Sequence, residues 1–199
     1  MRLVRFRFGD RIATGSLADG FVRPLRGTFF EDPVPSGEEL PLEQVRLLAP
    51  VIPSKVVCVG KNYLEHAEEM GDNVPEEPVI FLKPSTAVIG PEDAIPRPPW
   101  SERVDHEGEL GIVIGRLARH VKAEDAGRVA LGYTCGNDVT ARDLQAKDGQ
   151  WTRAKSFDGF CPLGPWIETE LDPTDVAVEC RVNGETRQAA RTSQLAFGP

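Results

Sequence analysis

The sequence predicts a mixed α+β fold that is mostly β, with a small β domain at residues 1–50 and a larger domain at residues 51–199. Two patterns support this prediction: apolar and polar residues alternate near the N-terminus, and short apolar runs end at turn residues farther along. Successive side chains of a strand point to opposite faces, so both patterns are typical of strands. The 17 prolines and 19 glycines indicate many turns.

The first 50 residues show the alternating pattern most clearly. Val4, Phe6 and Phe8 alternate with arginines, and a turn is expected at residues 9–10. Residues 12–17 and 21–25 predict two further strands that pair across a turn at residues 18–20. This segment offers no group of side chains that suggests chemistry, so a role as a lid or an interface is a hypothesis only.

Composition excludes several classes of protein. A net charge of -8 without a run of Lys or Arg argues against binding to nucleic acid. No apolar run approaches the roughly 20 residues that span a bilayer, and the N-terminus does not resemble a signal peptide. The four cysteines lack the Cys-x-x-Cys spacing, which predicts reduced thiols in a cytoplasmic protein.

Two glutamates stand at the mouth of the apolar run at residues 110–114, which predicts a strand that enters the protein interior. Glu107 and Glu109 are expected to point the same way, with Cα atoms about 6.5–7 Å apart. Gly108 between them allows another part of the chain to approach closely. Two such carboxylates repel each other unless a cation lies between them, which suggests a metal site. A solvated pair of glutamates at a strand end is the alternative.

A short helix is predicted directly after the strand at residues 56–59. Asn62 and Glu65 have the spacing of a capping box, and Gly71 is a natural end for the helix. His66 and Glu69 would then share a face, and a histidine held by a carboxylate can act as a general base on water. The alternative is a surface helix whose polar residues only face solvent.

Further charged side chains follow in the second half of the chain. A helical turn after the strand at residues 131–137 would place Asp138, Arg142 and Gln145 on one face, although Asp138 and Arg142 alone would suggest a structural ion pair. Lys155 lies among aromatic and small residues, which is unusual for a solvated lysine. Lys83 ends an apolar strand at residues 78–84 that is predicted to be buried, and we expect it to extend its ammonium group to solvent rather than steer a substrate.

Two further local elements are predicted in the second half of the chain. Residues 123–130 predict a short helix, and Asn183-Gly184 predicts the turn of a β-hairpin at residues 180–187.

Together these segments resemble the fumarylacetoacetate hydrolase superfamily, from about Val56 to the last residue. Each motif alone is weak, but all five occur in the order typical of that family. They are Gly-x-Asn-Tyr-x-x-His-x-x-Glu (60–69), Ile-Phe-x-Lys-Pro (80–84), Glu-Gly-Glu-Leu (107–110), Gly-Tyr-Thr-x-x-Asn-Asp-Val-Thr-Ala-Arg-Asp-x-Gln (132–145) and Ala-Lys-x-x-Asp (154–158). The first 50 residues are similar to the small N-terminal β domain of bacterial members.

The resemblance implies a β-roll fold, incomplete at the C-terminus because the family's final Thr-Gly-Thr-Pro segment is absent from this sequence. It also implies a divalent metal, Mg²⁺ or Mn²⁺, and a division of roles among the polar residues. The metal ligands would be Glu107, Glu109 and Asp138, the catalytic residues His66, Glu69 and Lys155, and the substrate-binding residues Arg142 and Gln145. His66 and Glu69 would activate water, and Lys155 would stabilise developing negative charge.

The activity implied by the resemblance is metal-dependent hydrolysis of a C–C bond in an acylpyruvate or a 2-oxo-dioic acid, carried out by a homodimer. Isomerisation of 2-hydroxyhepta-2,4-diene-1,7-dioate and decarboxylation of oxaloacetate-like acids in aromatic catabolism are alternatives, because all three reactions use the same metal. A metal-stabilised binding protein without turnover is a third possibility. The presence of His66 and Glu69 argues against it, since such a protein needs no base.

Overall fold

The computed structural model describes residues 1–31, 33–63 and 75–199. Antiparallel pairing dominates among its strands, which confirms the mostly β prediction. The strands are β1 (Arg2–Phe8), β2 (Arg11–Ala18), β3 (Phe21–Arg26), β4 (Val34–Pro35), β5 (Leu40–Pro41), β6 (Arg46–Leu48), β7 (Lys55–Gly60), β8 (Val79–Pro84), β9 (Val88–Ile89), β10 (Val104–Asp105), β11 (Gly108–Ile114), β12 (Ala130–Asn137), β13 (Thr140–Ala141), β14 (Cys161–Glu168), β15 (Ala177–Val182) and β16 (Glu185–Arg191). The helices are α1 (Arg142–Asp148) and α2 (Thr152–Lys155), with 3₁₀ turns at Leu42–Gln44, Ser85–Ala87, Ala123–Arg128, Pro173–Asp175 and Thr192–Gln194.

A ten-stranded sheet joins the N-terminal strands with strands of the second half of the chain. Its main path runs β11-β12-β14-β1-β2-β3-β4, so β1 lies between a strand of its own segment and β14, which is far away in the sequence. The pairing of β1 with β14 places Arg2 opposite Glu168. The division into domains at residues 1–50 and 51–199 stays a prediction.

The strands predicted near the N-terminus are confirmed. They bury one face around a cluster in which Val4 and Val22 are fully buried and Phe6 is 1% exposed. This packing explains the alternation, because the intervening arginines of β1 remain on the more exposed face.

The predicted strand at the two glutamates is confirmed as β11, but its predicted full burial is wrong. Val113 is buried, whereas Ile112 and Ile114 are 42% and 54% exposed. The two isoleucines lie on the face of β11 opposite to Val113, because successive side chains alternate, and this face is open in the described structure. An apolar run therefore did not mean burial on both faces here.

The antiparallel pair of strands β7 and β8 shows that the expectation for Lys83 is wrong. Val57 pairs with Leu82 and Val59 with Ile80, and all four side chains are exposed. Lys83 points the other way and is 0% exposed, so the prediction of a solvated lysine is wrong. Ile80 and Leu82 thus occupy the outer face of β8, whereas Lys83 shares the inner face with Phe81.

A second core lies beneath the two α-helices and positions the polar residues at the end of β12. Its buried members are Val139, Ala141, Leu144, Ala154 and Phe160. The predicted helical turn through Asp138 is wrong, because β13 intervenes by pairing with β10 and α1 begins only at Arg142. Arg142 and Gln145 are consequently neighbours in the first turn of α1.

The remaining local predictions fare better. Residues 123–128 form a helical turn, and β15 and β16 form a hairpin in which Asn183 and Gly184 have φ angles of 52° and 83°. Positive φ at both positions is typical of a type I′ turn. All four cysteines are free. None of the helices in the described ranges is long and apolar enough to cross a membrane.

The close approach of β12 to β14 predicts that Gly132→Ala destabilises the protein. A Cβ atom at Gly132 would lie 2.5 Å from the backbone oxygen of Glu168 and 2.7 Å from a methyl group of Ile167. We expect the free energy of unfolding to fall by about 1–3 kcal/mol, as measured by urea denaturation. The control is Gly127→Ala, whose Cβ would have no neighbour within 4 Å. A Gly132→Ala variant as stable as this control would contradict the prediction.

Candidate metal and active site

Strand pairing brings Glu107 and Asp138 to the same end of the sheet. Gly108 pairs with Asn137, so Glu107 precedes β11 at the point where Asp138 follows β12. The Asp138 backbone N–H donates to the Glu107 carbonyl at 2.8 Å, and the Glu107 N–H donates to the Asn137 side chain at 3.0 Å. Two separate strands thus hold the two carboxylates next to each other.

Lys155 bridges these two carboxylates. Its Nζ atom lies 2.9 Å from Glu107 Oε2 and 2.6 Å from Asp138 Oδ2. The residue ends α2, is 2% exposed, and has the rings of Phe81 and Trp151 nearby, at 4.9 Å and 5.9 Å from Nζ. The apolar surroundings inferred from the sequence are therefore correct. The ammonium group, however, contacts two of the predicted metal ligands.

Lys83 is a second buried ammonium group in contact with Asp138. Its Nζ donates to the carbonyls of Val139 at 3.2 Å, Lys155 at 2.5 Å and Phe160 at 2.8 Å. Asp138 Oδ1 lies 2.7 Å away, but this contact is an ion pair without a hydrogen bond, because the carbonyls take the three N–H groups. Lys83 thereby ties β8 to three segments around the site.

Arg142 connects the first turn of α1 with the acidic residues. Its Nε lies 3.0 Å from Asp105 Oδ2, Nη1 donates to Gln145 Oε1 at 3.1 Å, and Nη2 pairs with Glu107 Oε1. Thr140 also donates to Glu107 Oε1, at 3.3 Å. Burial opposes ionisation of Glu107, but the charges of Lys155 and Arg142 outweigh burial and lower its pKa.

Glu109 differs from its two acidic neighbours. Among the described residues it has no hydrogen bond or ion pair that would offset its burial. Burial, followed by the charges of Glu107 and Asp138, outweighs the opposing charge of Lys155 and raises the pKa of Glu109 to about 8. The hydroxyl group of Tyr63 is buried with no hydrogen-bond partner in the described part of the chain, and burial together with the Glu109 charge raises the Tyr63 pKa to about 12. Glu109 and Tyr63 are therefore the two ionisable groups of the site whose pKa values burial raises without a compensating hydrogen bond among the described residues.

The donor chemistry of the three acids fits a divalent cation. Among the described residues Glu109 has no ion-pair partner, and Asp138 Oδ1 accepts no hydrogen bond, although Lys83 Nζ lies 2.7 Å from it. Hard cations such as Mg²⁺ and Mn²⁺ prefer carboxylate oxygens of this kind. Within residues 1–31, 33–63 and 75–199 no three acidic, His or Cys side chains are already arranged around a common ion position. Lys155 Nζ lies between Glu107 and Asp138, so a shared cation there requires this ammonium group to move.

The structure tests the grouping of the predicted site residues only in part. It brings together Glu107, Asp138, Lys155 and Arg142 through direct contacts, with Gln145 attached through Arg142 and Glu109 within electrostatic range. His66 and Glu69, with the helix predicted around them, lie outside the described residues. The roles assigned to all eight residues stay predictions.

Sequence reasoning missed several residues that contact the site. Asp105 holds Arg142, Thr140 holds Glu107, and Lys83 contacts Asp138. The amide of Gln188 binds the backbone of Gly108 from the β15–β16 hairpin. A signal existed for Lys83 alone, because a lysine inside an apolar strand contradicts the pattern around it.

Comparison with known families places the chain. Residues 55–199 match the family model described as fumarylacetoacetate (FAA) hydrolase C-terminal. The chain belongs to the fumarylacetoacetate hydrolase family. Residues 1–50 match a second model, Rv2993c-like, N-terminal. The family predicted from the five motifs is therefore confirmed.

The relatives of this family member are longer proteins. An uncharacterized protein of Archaeoglobus fulgidus is 58% identical over 161 residues, which are 81% of this chain and 64% of that protein. Protein Rv2993c of Mycobacterium tuberculosis is 50% identical over 205 residues, 98% of this chain and 77% of its own length. Oxaloacetate tautomerase Fahd2a of Rattus norvegicus is 46% identical over 163 residues, 79% of this chain and 52% of that protein.

Solved structures of two enzymes share the fold of this family member. One is 2-hydroxyhepta-2,4-diene-1,7-dioate isomerase from Mycobacterium marinum, with a TM-score of 0.92, 47% identity, and coverage of 100% of this chain and 77% of that chain. The other is maleylpyruvate hydrolase from Sphingobium sp. SYK-6 in complex with manganese(II) and pyruvate. Its TM-score is 0.79, with 30% identity and coverage of 100% and 79%. Members of the family are thus enzymes of different reaction types.

The raised pKa of Glu109 predicts a specific pH dependence of stability in metal-free protein. Between the ordinary carboxyl pKa of 4.5 and about 8, the folded state holds a proton that the unfolded state has lost. The free energy of unfolding therefore falls as pH rises through this window. Glu109→Gln removes this loss. In EDTA the variant should be more stable than the wild type at pH 8, on the order of a few kcal/mol, and similar to it near pH 4.5.

Urea denaturation at the two pH values measures this difference. The exposed Glu43→Gln is the matched control and should follow the wild type at both. If Glu109→Gln and the wild type lose stability equally between the two pH values, Glu109 does not carry the uncompensated charge.

Proposed function

We propose that this protein is a divalent-metal-dependent enzyme that acts on 2-oxo acids, with hydrolysis of a C–C bond in an acylpyruvate or 2-oxo-dioic acid as its reaction. The observation that carries the proposal is the group of three acidic side chains, Glu107, Glu109 and Asp138, in which the half-buried Glu109 has no ion-pair partner among the described residues. Burying such a charge is costly unless a cation offsets it, so the local charges support a metal. Glu107, Glu109 and Asp138 would hold this cation, Mg²⁺ or Mn²⁺.

The positively charged side chains beside the three acidic residues, Lys155 and Arg142, are suited to an anionic substrate. When bound, the divalent ion would draw electron density from the carboxylate and 2-oxo oxygens of the substrate. Lys155, once its Nζ leaves the two carboxylates, would stabilise the negative charge that develops on the substrate. Arg142 would bind substrate oxygens together with Gln145, whose amide it already orients at 3.1 Å.

Hydrolysis also needs an activated water molecule, and His66 and Glu69 are proposed for this step. The pair would take a proton from water, and the water oxygen would attack the distal carbonyl carbon of the substrate. The C–C bond then breaks, and its electrons pass to the pyruvate part as an enolate. Protonation of the enolate carbon gives pyruvate, and the other product is a carboxylic acid. The same enolate explains why Lys155 is proposed as a catalytic residue.

A second candidate is isomerisation or tautomerisation of a 2-oxo acid. The names of two relatives favour it, because one is an oxaloacetate tautomerase and the other a diene-dioate isomerase. Such reactions move a proton through an enolate but add no water. Decarboxylation of an oxaloacetate-like acid would use the same enolate. The enolate-stabilising residues Lys155, Arg142 and Gln145 serve every one of these reactions, so product analysis has to distinguish them.

Turnover should depend on Lys155. We expect Lys155→Met to lower kcat about 10²–10³-fold, because one charge-stabilising donor is lost. The assay incubates the protein and Mg²⁺ with acetylpyruvate, maleylpyruvate and oxaloacetate, and follows pyruvate, CO₂ and the enol absorbance separately. Pyruvate together with a carboxylic acid indicates hydrolysis, whereas enol loss without either product indicates tautomerisation.

The control for this assay is Lys147→Met, which removes an exposed lysine from the same helical region. It should retain wild-type kcat. Equal activity of the Lys155→Met variant and this control would refute the catalytic role of Lys155. No turnover of any 2-oxo acid by the wild type would refute the proposed function.

Metal binding should stabilise the folded protein through Asp138. At a free Mn²⁺ concentration about 100 times Kd, we expect the free energy of unfolding to rise by roughly 2.7 kcal/mol in the wild type. Asp138→Asn should lose most of this gain, whereas the exposed Asp10→Asn should keep it. Urea denaturation with and without Mn²⁺ measures the gain, and an undiminished gain in Asp138→Asn would exclude this residue as a ligand.

A further inference from the structure

The side chain of Gln188 binds both polar groups of the Gly108 backbone. The Gly108 N–H donates to Gln188 Oε1 at 2.8 Å, and Gln188 Nε2 donates to the Gly108 carbonyl at 2.7 Å. Each amide atom thus has the partner it prefers. The contact joins residues 80 positions apart in the sequence.

Strand geometry explains why Gly108 needs this partner. Along a strand, the polar groups of successive residues point to opposite edges. Glu107 directs its N–H and carbonyl towards β12, where Asn137 and Asp138 bind them. Gly108 therefore directs its own groups to the outer edge of β11, which is the end of the sheet path. The amide of Gln188 occupies this edge in place of a neighbouring strand.

The register of the β15–β16 hairpin places Gln188 beside Gly108. Cys180 and Gln188 are paired across the hairpin, and the register shifts directly after Cys180. A Cβ atom at Gly108 would lie 3.4 Å from both Cys180 Cβ and Gln188 Oε1. Both paired side chains therefore lie directly beside the Gly108 backbone, at a distance where an added Cβ atom would make ordinary contact with them.

We propose that Gln188 is a positioning residue for Glu107 and Glu109, and that it acts through the backbone of Gly108. The inference rests on the proposed metal role of these glutamates. Gly108 is the residue between them, so a rotation of its peptide groups changes the directions of both carboxylates. With its two hydrogen bonds, Gln188 fixes this rotation from outside the sheet. The hairpin thereby fixes the orientation of the two proposed metal ligands, although it supplies no ligand of its own.

The test removes the hydrogen bonds of Gln188 and measures metal affinity. Gln188→Met keeps the length of the side chain but can neither donate to nor accept from Gly108 in the same way. Mn²⁺ titration, followed by the EPR signal of free Mn²⁺, should show about 10–100-fold weaker binding, the usual cost of losing a group that orients metal ligands. The EPR spectrum of bound Mn²⁺ should change as well, because the ligand geometry changes.

A second measurement detects the hydrogen bond without metal. Hydrogen exchange at the Gly108 amide should be faster in metal-free Gln188→Met than in the wild type, because the acceptor is lost. Gln188→Asn, which is one methylene shorter, should change both readouts in the same direction. Arg187→Met is the matched control on the same strand, since its side chain is exposed and pairs only with Glu185 among the described residues. It should leave both readouts unchanged.

The outcomes separate the two proposals. Faster exchange at Gly108 together with unchanged Mn²⁺ affinity would overturn the positioning role and leave the metal site standing. A lower melting temperature with unchanged Mn²⁺ affinity would likewise show a purely structural contact and overturn it. If the wild type itself binds no Mn²⁺, the proposed metal-dependent function fails, and the positioning role fails with it.

Discussion

The charge balance at the end of β12 is the constraint on which the site depends. Asp138 follows the strand with both carboxylate oxygens within 2.7 Å of an ammonium group, Lys83 on one side and Lys155 on the other. Both lysines are buried, so their positive charges and the negative charge of Asp138 depend on one another for stabilisation. This arrangement explains why β8, α2 and the start of β14 converge on one point, since each contributes a lysine or a carbonyl to it.

Glu109, unlike Asp138, has no positively charged side chain in direct contact among the described residues. Glu107 has partners for both oxygens, whereas Glu109 has no compensating partner among the described residues. The raised pKa of Glu109 means that the metal-free protein keeps a proton on this residue up to about pH 8, and in the proposed function a divalent cation would take the place of this proton. Gln188 and the hairpin around it would then act on the directions of the carboxylates and not on their charge.

Sequence reasoning recovered the elements whose signal is local. The alternation of Val4, Phe6 and Phe8, the Asn183-Gly184 turn and the five ordered motifs all depend on neighbouring residues, and the strands, hairpin and family they predicted are confirmed. The glutamate spacing and the aromatic surroundings of Lys155 likewise drew attention to Glu107 and Lys155, which the structure brings into contact at 2.9 Å.

The failures have a common physical origin in tertiary packing. A run of apolar residues does not say which face of a strand meets the core, so Ile112, Ile114 and the outer face of β8 were predicted to be buried. Helical periodicity likewise could not reveal that β13 would interrupt the turn after Asp138. Lys83 and Gln188 act across 56 and 80 residues respectively, and no local pattern specifies such partners.

The burial of Lys83 couples the unfolding of the segments that surround its ammonium group. Its ammonium group is tolerable in the interior only while Asp138 and the carbonyls of Val139, Lys155 and Phe160 surround it together. Detaching Asp138 would leave an unpaired charge in an apolar setting, which is unfavourable by several kcal/mol, and detaching a carbonyl segment would remove a hydrogen bond to that charge. The segments should accordingly open as a single cooperative unit, and partial fraying of the region is suppressed.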